Sequence, residues 1–376
     1  MKYFIIVGEA SGDLHASNLM AALKRRDADA QFCFLGGDLM AAQGGEMLRH
    51  YRDMAFMGII NVVLNWRKVL RNLTDCKRAI AAFRPDVVVL VDYPSFNLRI
   101  AKYVKRHFAI PVYYYISPKL WAWKTYRIKS IKKYIDRMYT IFPFETEFYA
   151  RFDYRVEYVG NPTVDAVAHF CEQLPPTDFR VQHGLDERPV VSVLAGSRRQ
   201  EILSTLPKVV PLAVRYPDFQ FVVAAAPSAD MSLYRPFLSD NVKVVRNCTY
   251  ALLLNSFAAV VNSGTATLET ALFRVPQVVV YYVWGGKAAS WLKKVLIKTR
   301  FVSLVNLVAE KEVVRELVAH DFSTENVGGE LDKILYDNAY RARIVADYDT
   351  MAQRLGGAGA AENAAEKMIK SLKTSM

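Results

Sequence analysis

Cysteine is scarce in this chain: four residues in 376, Cys33, Cys76, Cys171 and Cys248, lie far apart and form no C-x-x-C pair. That spacing excludes a disulfide scaffold and a cysteine-based metal ribbon, and it suits a reducing compartment. Long apolar runs are also missing. The most nearly apolar windows, residues 57–64 and 250–261, fall well short of the roughly 20 residues of a membrane span, so membrane contact is expected to be peripheral. The chain starts Met1-Lys2-Tyr3 and passes straight into Phe4-Ile5-Ile6-Val7 and a glycine, which is a buried first strand rather than a signal peptide. The six histidines show no ligand spacing. Two D-x-D triplets, at 27–29 and 347–349, fall on a helix-to-strand turn at the wrong end of a sheet and in a helical tail, so no metal is expected and no cofactor is called for. Acid is the charge in deficit, 37 Asp and Glu against 49 Lys and Arg, for a net +12 that favours anionic partners.

What is present is alternation. Short β-branched runs and helix-length amphipathic stretches follow one another throughout, the pattern of doubly wound parallel sheets. Strands are predicted near 3–7, 31–35, 86–91, 111–116, 138–142 and 156–159, and again near 189–194, 219–225, 242–245, 258–262 and 277–281. The proline-bearing stretch at 173–178 reads as a linker. The expectation is an α/β protein of two Rossmann-like doubly wound parallel-sheet domains facing a cleft, over 1–172 and 173–345. A helical tail at 346–376 either returns to the first domain or is exchanged with a partner subunit.

Ligands of such sheets bind beyond the carboxyl ends of the strands, so the loops there carry the candidates. After the first strand, Gly8-Glu9-Ala10-Ser11-Gly12-Asp13 makes a tight turn whose amides can face the cleft; a plain strand-to-helix turn capped by Asp13 or Ser11 is the alternative. Asp92 stands at the tip of the run Val87-Val88-Val89-Leu90-Val91, where it can take a proton from a bound hydroxyl or cap the next helix. In the second half, Gly196, Ser197 and Arg198 follow a strand, and the arginine offers a fork for phosphate oxygens. Asn262-Ser263-Gly264-Thr265 leads into a helix whose N-terminus suits an anion, with Glu269 placed to accept from ribose hydroxyls or to serve the helix dipole. A strand, Ser-Gly-Thr, a helix and then a glutamate point to a nucleotide-sugar donor.

Basic and aromatic residues gather at 119–137, where Trp121, Trp123, Lys124 and Arg127 suit a membrane interface, or alternatively single-stranded nucleic acid. Upstream, Met57, Ile60, Val63, Leu64 and Trp66 make a segment more apolar than a solvated helix should be, suited to acyl chains or to core packing.

Six motifs in order, Gly8-Glu9-Ala10-Ser11-Gly12-Asp13, Met57-Gly58-Ile59, Ser117-Pro118-Lys119-Leu120-Trp121-Ala122-Trp123, Gly196-Ser197-Arg198, Ser263-Gly264-Thr265-Ala266-Thr267-Leu268-Glu269 and Ser303-Leu304-Val305-Asn306-Leu307, resemble the lipid-A-disaccharide synthases. The resemblance implies a GT-B fold and a metal-independent inverting transfer from UDP-2,3-diacylglucosamine to 2,3-diacylglucosamine 1-phosphate (lipid X), giving a β-1,6 disaccharide 1-phosphate and UDP in lipid A biosynthesis. It implies Asp92 as the base, Arg198, Glu269 and Asn306 at the nucleotide, and Ser263, Gly264 and Thr265 along the diphosphate. Gly8, Glu9, Ser11, Gly12, Asp13, Ser117 and Trp121 fall on the acceptor side. The expected partners are the two acylated sugars and an anionic membrane surface on the cytoplasmic face of the inner membrane, without nucleic acid, and with a homodimer by family analogy. Two departures stand out. Many relatives have a second carboxylate where this chain has Ser95, and a serine where it has Lys119. A UDP-sugar 2-epimerase or another GT-B transferase is the nearest alternative.

Overall fold

The computed structural model describes residues 1–53, 66–122, 124–173, 178–227, 229–282 and 300–375. The chain divides into two compact units, Met1–Pro162 with Ala358–Met376, and Thr163–Gly357. The division falls at the start of the helix Pro162–Glu172, ahead of the proline-bearing stretch, most of which lies outside the described residues.

Among the described residues the first unit has seven strands: β1 Lys2–Ile6, β2 Gln31–Gly36, β3 Glu46–His50, β4 Val87–Val91, β5 Val112–Tyr115, β6 Arg137–Thr140 and β7 Glu157–Tyr158. All pair in parallel, in the order β3-β2-β1-β4-β5-β6-β7. Burial on both faces explains why the central strands read as unbroken apolar runs. The side chains nevertheless alternate between two cores. Tyr3, Ile5, Val87, Val89 and Val91 face one side, and Phe4, Ile6, Val88 and Leu90 face the other. The first side is covered by the helix Ala10–Arg26 and by the last helix, Ala360–Ser375, which brings Ala364, Ala365, Met368, Ile369 and Leu372. Arg26 pairs with Glu366 at 3.3 Å along their rims. Such exposed pairs add little; each large apolar side chain buried beneath them contributes about 1.5–3 kcal/mol. The terminal helix thus returns to the first unit of its own chain.

The second unit repeats the scheme with β8 Val190–Leu194, β9 Gln220–Ala225, β10 Val242–Arg246, β11 Ser256–Asn262, β12 Gln277–Tyr281 and β13 Glu316–Val318. The order is β10-β9-β8-β11-β12-β13, again all parallel. The sequence reading missed β3 and β13. Both are edge strands, where short or half-exposed chain lacks the apolar signature of the interior: Glu46, Met47 and Leu48 are exposed, and β13 has three residues.

Each sheet reverses direction once, between β1 and β4 in the first and between β8 and β11 in the second. At such a switch point neighbouring crossovers leave on opposite faces and open a crevice at the strand tips. The four loops singled out in the sequence are the ones that flank these two points.

Candidate functional site

In the first unit, the turn after β4 puts Asp92 and Tyr93 in the left-handed region, at φ 42° and 45°. Two consecutive non-glycine residues there are strained, and the fold compensates locally. The Asp92 carbonyl accepts from Asn97 Nδ2 at 2.7 Å and from the Tyr114 hydroxyl, and Asn97 also donates to the Val91 carbonyl at 3.2 Å. Asn97 and Tyr114 are fully buried. The Tyr93 ring lies over Gly8, where a Cβ would come within 2.2 Å of the ring, so Gly8 is glycine to admit Tyr93 and tie the two loops of the switch point together.

This turn places Asp92 on the wall of a cavity of about 220 Å³ lined also by Pro94, Pro118, Lys119, Leu120, Lys124 and Arg127. Burial and the neighbouring Glu9 carboxylate push Asp92 up to about 6, against the opposing pull of Lys119. Glu9 accepts from the Ser11 hydroxyl at 2.7 Å. Gly12 faces the other way and lets the helix settle on Val7, 3.1 Å from where a Cβ would stand.

Three expected acceptor-side residues are turned inward. Asp13 is buried and accepts from the amides of Gly37, Leu39 and Met40 at 2.8, 3.1 and 3.1 Å, so its carboxylate caps the helix Asp38–Ala42 instead of meeting a ligand. Ser117 shares a 2.7 Å hydrogen bond with the Tyr149 hydroxyl, and the Trp121 ring packs edge-on against Phe144 at 5.3 Å. Both border Glu145, which accepts from the amides of Ile141 and Phe142 and is pushed up to about 7 by burial. Lys124 and Arg127, expected at a membrane, instead line the Asp92 cavity. Met57, Ile60, Val63, Leu64 and Trp123 lie outside the described residues, as does the side chain of Trp66.

In the second unit, Gly196 has φ 102°, and a Cβ there would lie 2.4 Å from Glu201 and 2.8 Å from Asn262. Glu201 folds back over this space to accept from the amides of Ser197 and Arg198 at 2.9 and 3.1 Å, and from Arg198 Nη1 at 2.9 Å. The helix Arg199–Val209 is therefore capped by its own carboxylate, and what the loop leaves for an anion is the exposed Arg198 guanidinium. Sequence reasoning assigned Glu201 no role. The signal was there in its place three residues beyond the helix cap.

The other loop is open. Gly264 and Thr265 are exposed, and among the described residues the helix Thr265–Leu272 has no side-chain cap and a Cβ on Gly264 would meet nothing within 4 Å. Free N–H groups and the positive dipole end form an anion cradle there. The Ser263 hydroxyl donates to the Val302 carbonyl at 3.1 Å. Glu269 accepts from the Tyr250 hydroxyl at 3.1 Å, and burial raises its carboxyl above the ordinary range.

Asn306 differs from expectation. It is fully buried, donates to Val314 O and Glu316 Oε1 at 2.9 Å each, and accepts from the amides of Val313 and Val314 at 2.8 and 3.0 Å. With both ends of its amide in use, it braces the segment behind Ser263 and is not presented to a nucleotide.

The chain matches the model of the family described as lipid-A-disaccharide synthetase over residues 3–368. It is 39% identical to the lipid-A-disaccharide synthase of Myxococcus xanthus, over 99% of this chain and 97% of that protein. It is 35% identical to the Geobacter sulfurreducens enzyme of the same name, again over 99% and 97%. Among solved structures it resembles the UDP-GlcNAc 2-epimerase of Neisseria meningitidis bound to UDP-GlcNAc, with TM-score 0.60, 14% identity and all of both chains covered. It also resembles a calicheamicin glycosyltransferase, with TM-score 0.61, 16% identity and 99% and 97% of the two chains covered. At these identities the structural likeness establishes the GT-B fold.

Proposed function

The chain belongs to the family of lipid-A-disaccharide synthases, and from that premise we propose how its two units divide the making of the disaccharide. It is a glycosyltransferase joining a nucleotide-sugar donor to a lipid acceptor. In our reading the donor is UDP-2,3-diacylglucosamine and the acceptor 2,3-diacylglucosamine 1-phosphate.

The acceptor's 6-hydroxyl attacks the anomeric carbon of the donor while its proton passes to Asp92. As the new carbon–oxygen bond forms, the bond from that carbon to the diphosphate breaks on the opposite side, UDP departs and the configuration inverts. Arg198 and the amides at the start of the helix Thr265–Leu272 take the growing charge on the diphosphate, with Ser263 and Gly264 beside it and Glu269 at the ribose. Asn97 and Tyr114 are positioning residues that hold the turn of Asp92.

The observation that carries this reading is the Asp92 carboxylate itself, fixed by a strained turn at a switch point and pushed up to about 6. A carboxylate of that pKa is a stronger base than an ordinary aspartate yet is ionised at neutral pH. The test is mass-spectrometric detection of the disaccharide from the two acylated sugars, with wild type and Asp92→Asn compared. Near-normal turnover by the variant removes Asp92 from the role.

Peripheral membrane association belongs to the same proposal. No helix among the described residues is long and apolar enough to cross a membrane. Acylated substrates reside in the bilayer, and the exposed Lys129, Lys132 and Lys133 offer charge to lipid phosphates. Anionic vesicles should sediment the protein at low salt, and failure to do so overturns this part.

A further inference from the structure

The cavity beside Asp92 holds more positive charge than the carboxylate accounts for. Lys119, Lys124 and Arg127 line it, three cations to one acid among the described lining residues, with the Glu9 carboxylate near Asp92. Backbone hydrogen bonds tie the described residues that carry them. Leu120 N–H donates to the Pro118 carbonyl at 2.6 Å, Ala122 N–H to the Lys119 carbonyl at 3.2 Å, and Arg127 N–H to the Lys124 carbonyl at 3.0 Å. Lys124 is itself held at φ 56° by that last turn. Behind the loop, Ser117 is pinned to Tyr149. Arg127 Nη2 donates to Ser95 Oγ at 2.9 Å, which ties its guanidinium to the turn that carries the base.

We propose that this cavity binds the phosphate of the acceptor sugar and thereby presents the acceptor's 6-hydroxyl to Asp92. The inference rests on the reading of the function given above and adds to it the site that selects a phosphorylated acceptor. In a hexopyranose the carbon bearing the 1-phosphate and the carbon leading to the 6-hydroxyl both attach to the ring oxygen. A phosphate seated on the three cations therefore leaves the hydroxyl on the same edge of the sugar, beside the carboxylate in the same cavity. A guanidinium supplies a planar fork for two phosphate oxygens and the ammonium groups supply point charge. The assignment also removes Lys124 and Arg127 from the membrane-facing set.

A phosphate for this cavity could come from the acceptor or from a lipid headgroup, and the experiment separates them. In detergent micelles, kcat/KM is measured for the phosphorylated acceptor and for the same acylated glucosamine with a free 1-hydroxyl. Wild type should prefer the phosphorylated sugar. Arg127→Ala should lower kcat/KM for it by roughly tenfold to a hundredfold, as expected for a lost charge-assisted contact, while the free sugar and the donor KM stay within about twofold. Arg127→Lys should recover part of the preference, and Lys119→Ala should lose a smaller part. A variant that slows both acceptors equally overturns the proposal, because that is what a displaced Asp92 would do. Unchanged acceptor preference with lost binding to phosphatidylglycerol vesicles overturns it as well and gives the cations to the membrane. Absence of disaccharide from wild type is instead a failure of the underlying reading. In that case calorimetric titration with glucosamine 1-phosphate decides the cavity: binding lost in Arg127→Ala supports it, and no binding to wild type refutes it.

Discussion

At the switch point of the first sheet the turn after β4 offers a carboxylate, strained and partly buried, beside a second carboxylate at Glu9; at the same place in the second sheet the turn after β11 offers a bare helix N-terminus beside Arg198. Strand order is shared down to the reversal, so topology supplies the place and the loops supply the chemistry. The glycines show the same split. Gly8 and Gly196 are required by the protein's own packing, against Tyr93 and Glu201, whereas a Cβ on Gly264 would meet none of the described residues. In the proposed reading the first sheet's switch point takes the proton, beside the acceptor's phosphate, and the second's holds the donor's diphosphate.

If that division is right, variants at the two points should fail in different ways. The largest effect is expected from Asp92→Asn: turnover falls about 10²–10⁴-fold while the Kd for UDP, by calorimetry, moves less than about twofold. Equal losses in both would erase the contrast. Arg198→Ala should do the reverse, weakening UDP roughly 10–100-fold through loss of its charge-assisted bonds, with the Asp92 limb of the pH profile unmoved. Smaller still is the glycine pair. Gly196→Ala forces an L-residue to φ 102° against Glu201 and should lower unfolding stability by about 1–3 kcal/mol in urea. Gly264→Ala should change stability by less than about 1 kcal/mol and weaken UDP instead, because its methyl enters the space above the helix amides. Stability loss at Gly264 with intact UDP binding would reverse the assignment.

The sequence revealed what depends on pattern. Continuous apolar runs marked the inner strands, and small residues with a carboxylate or arginine at the strand tips marked the loops of both switch points. Patterns say little about partners remote in sequence. Nothing local distinguishes Asp13, whose oxygens meet amides beyond β2, from a carboxylate turned to a ligand. Asn306 looks like a polar residue near a site until its bonds to Val314 and Glu316 are seen. Tyr114 sits in a run of three tyrosines and reads as core, yet its hydroxyl reaches the Asp92 carbonyl. Glu201 was within reach, since its spacing from Arg198 is that of a helix cap.

The effect most specific to the first switch point follows from titration. With its folded value near 6, Asp92 loses its basic lone pair as pH falls, so kcat/KM should drop tenfold for each pH step of one below about 6 and level off above about 7. The Arg198 guanidinium and the amides at the helix N-terminus do not titrate in this range, so donor affinity should follow only Glu269, whose carboxyl burial raises, and should not show the Asp92 limb. The raised value acts on stability too, with a definite sign. The native state holds the Asp92 proton more tightly than the unfolded chain, whose value is near 3.8, so this group's favourable contribution is complete below about 4 and is lost as pH rises through 6. At pH 8 the ionised carboxylate is a cost, and Asp92→Asn should be more stable than wild type by roughly 2 kcal/mol, at about 1.4 kcal/mol for each tenfold change in proton affinity, reduced for partial solvent screening. Urea unfolding at pH 4 and pH 8 measures it. A gain that persists undiminished at pH 4 would trace to something other than the buried charge, and would leave the raised basicity of Asp92 without its thermodynamic counterpart.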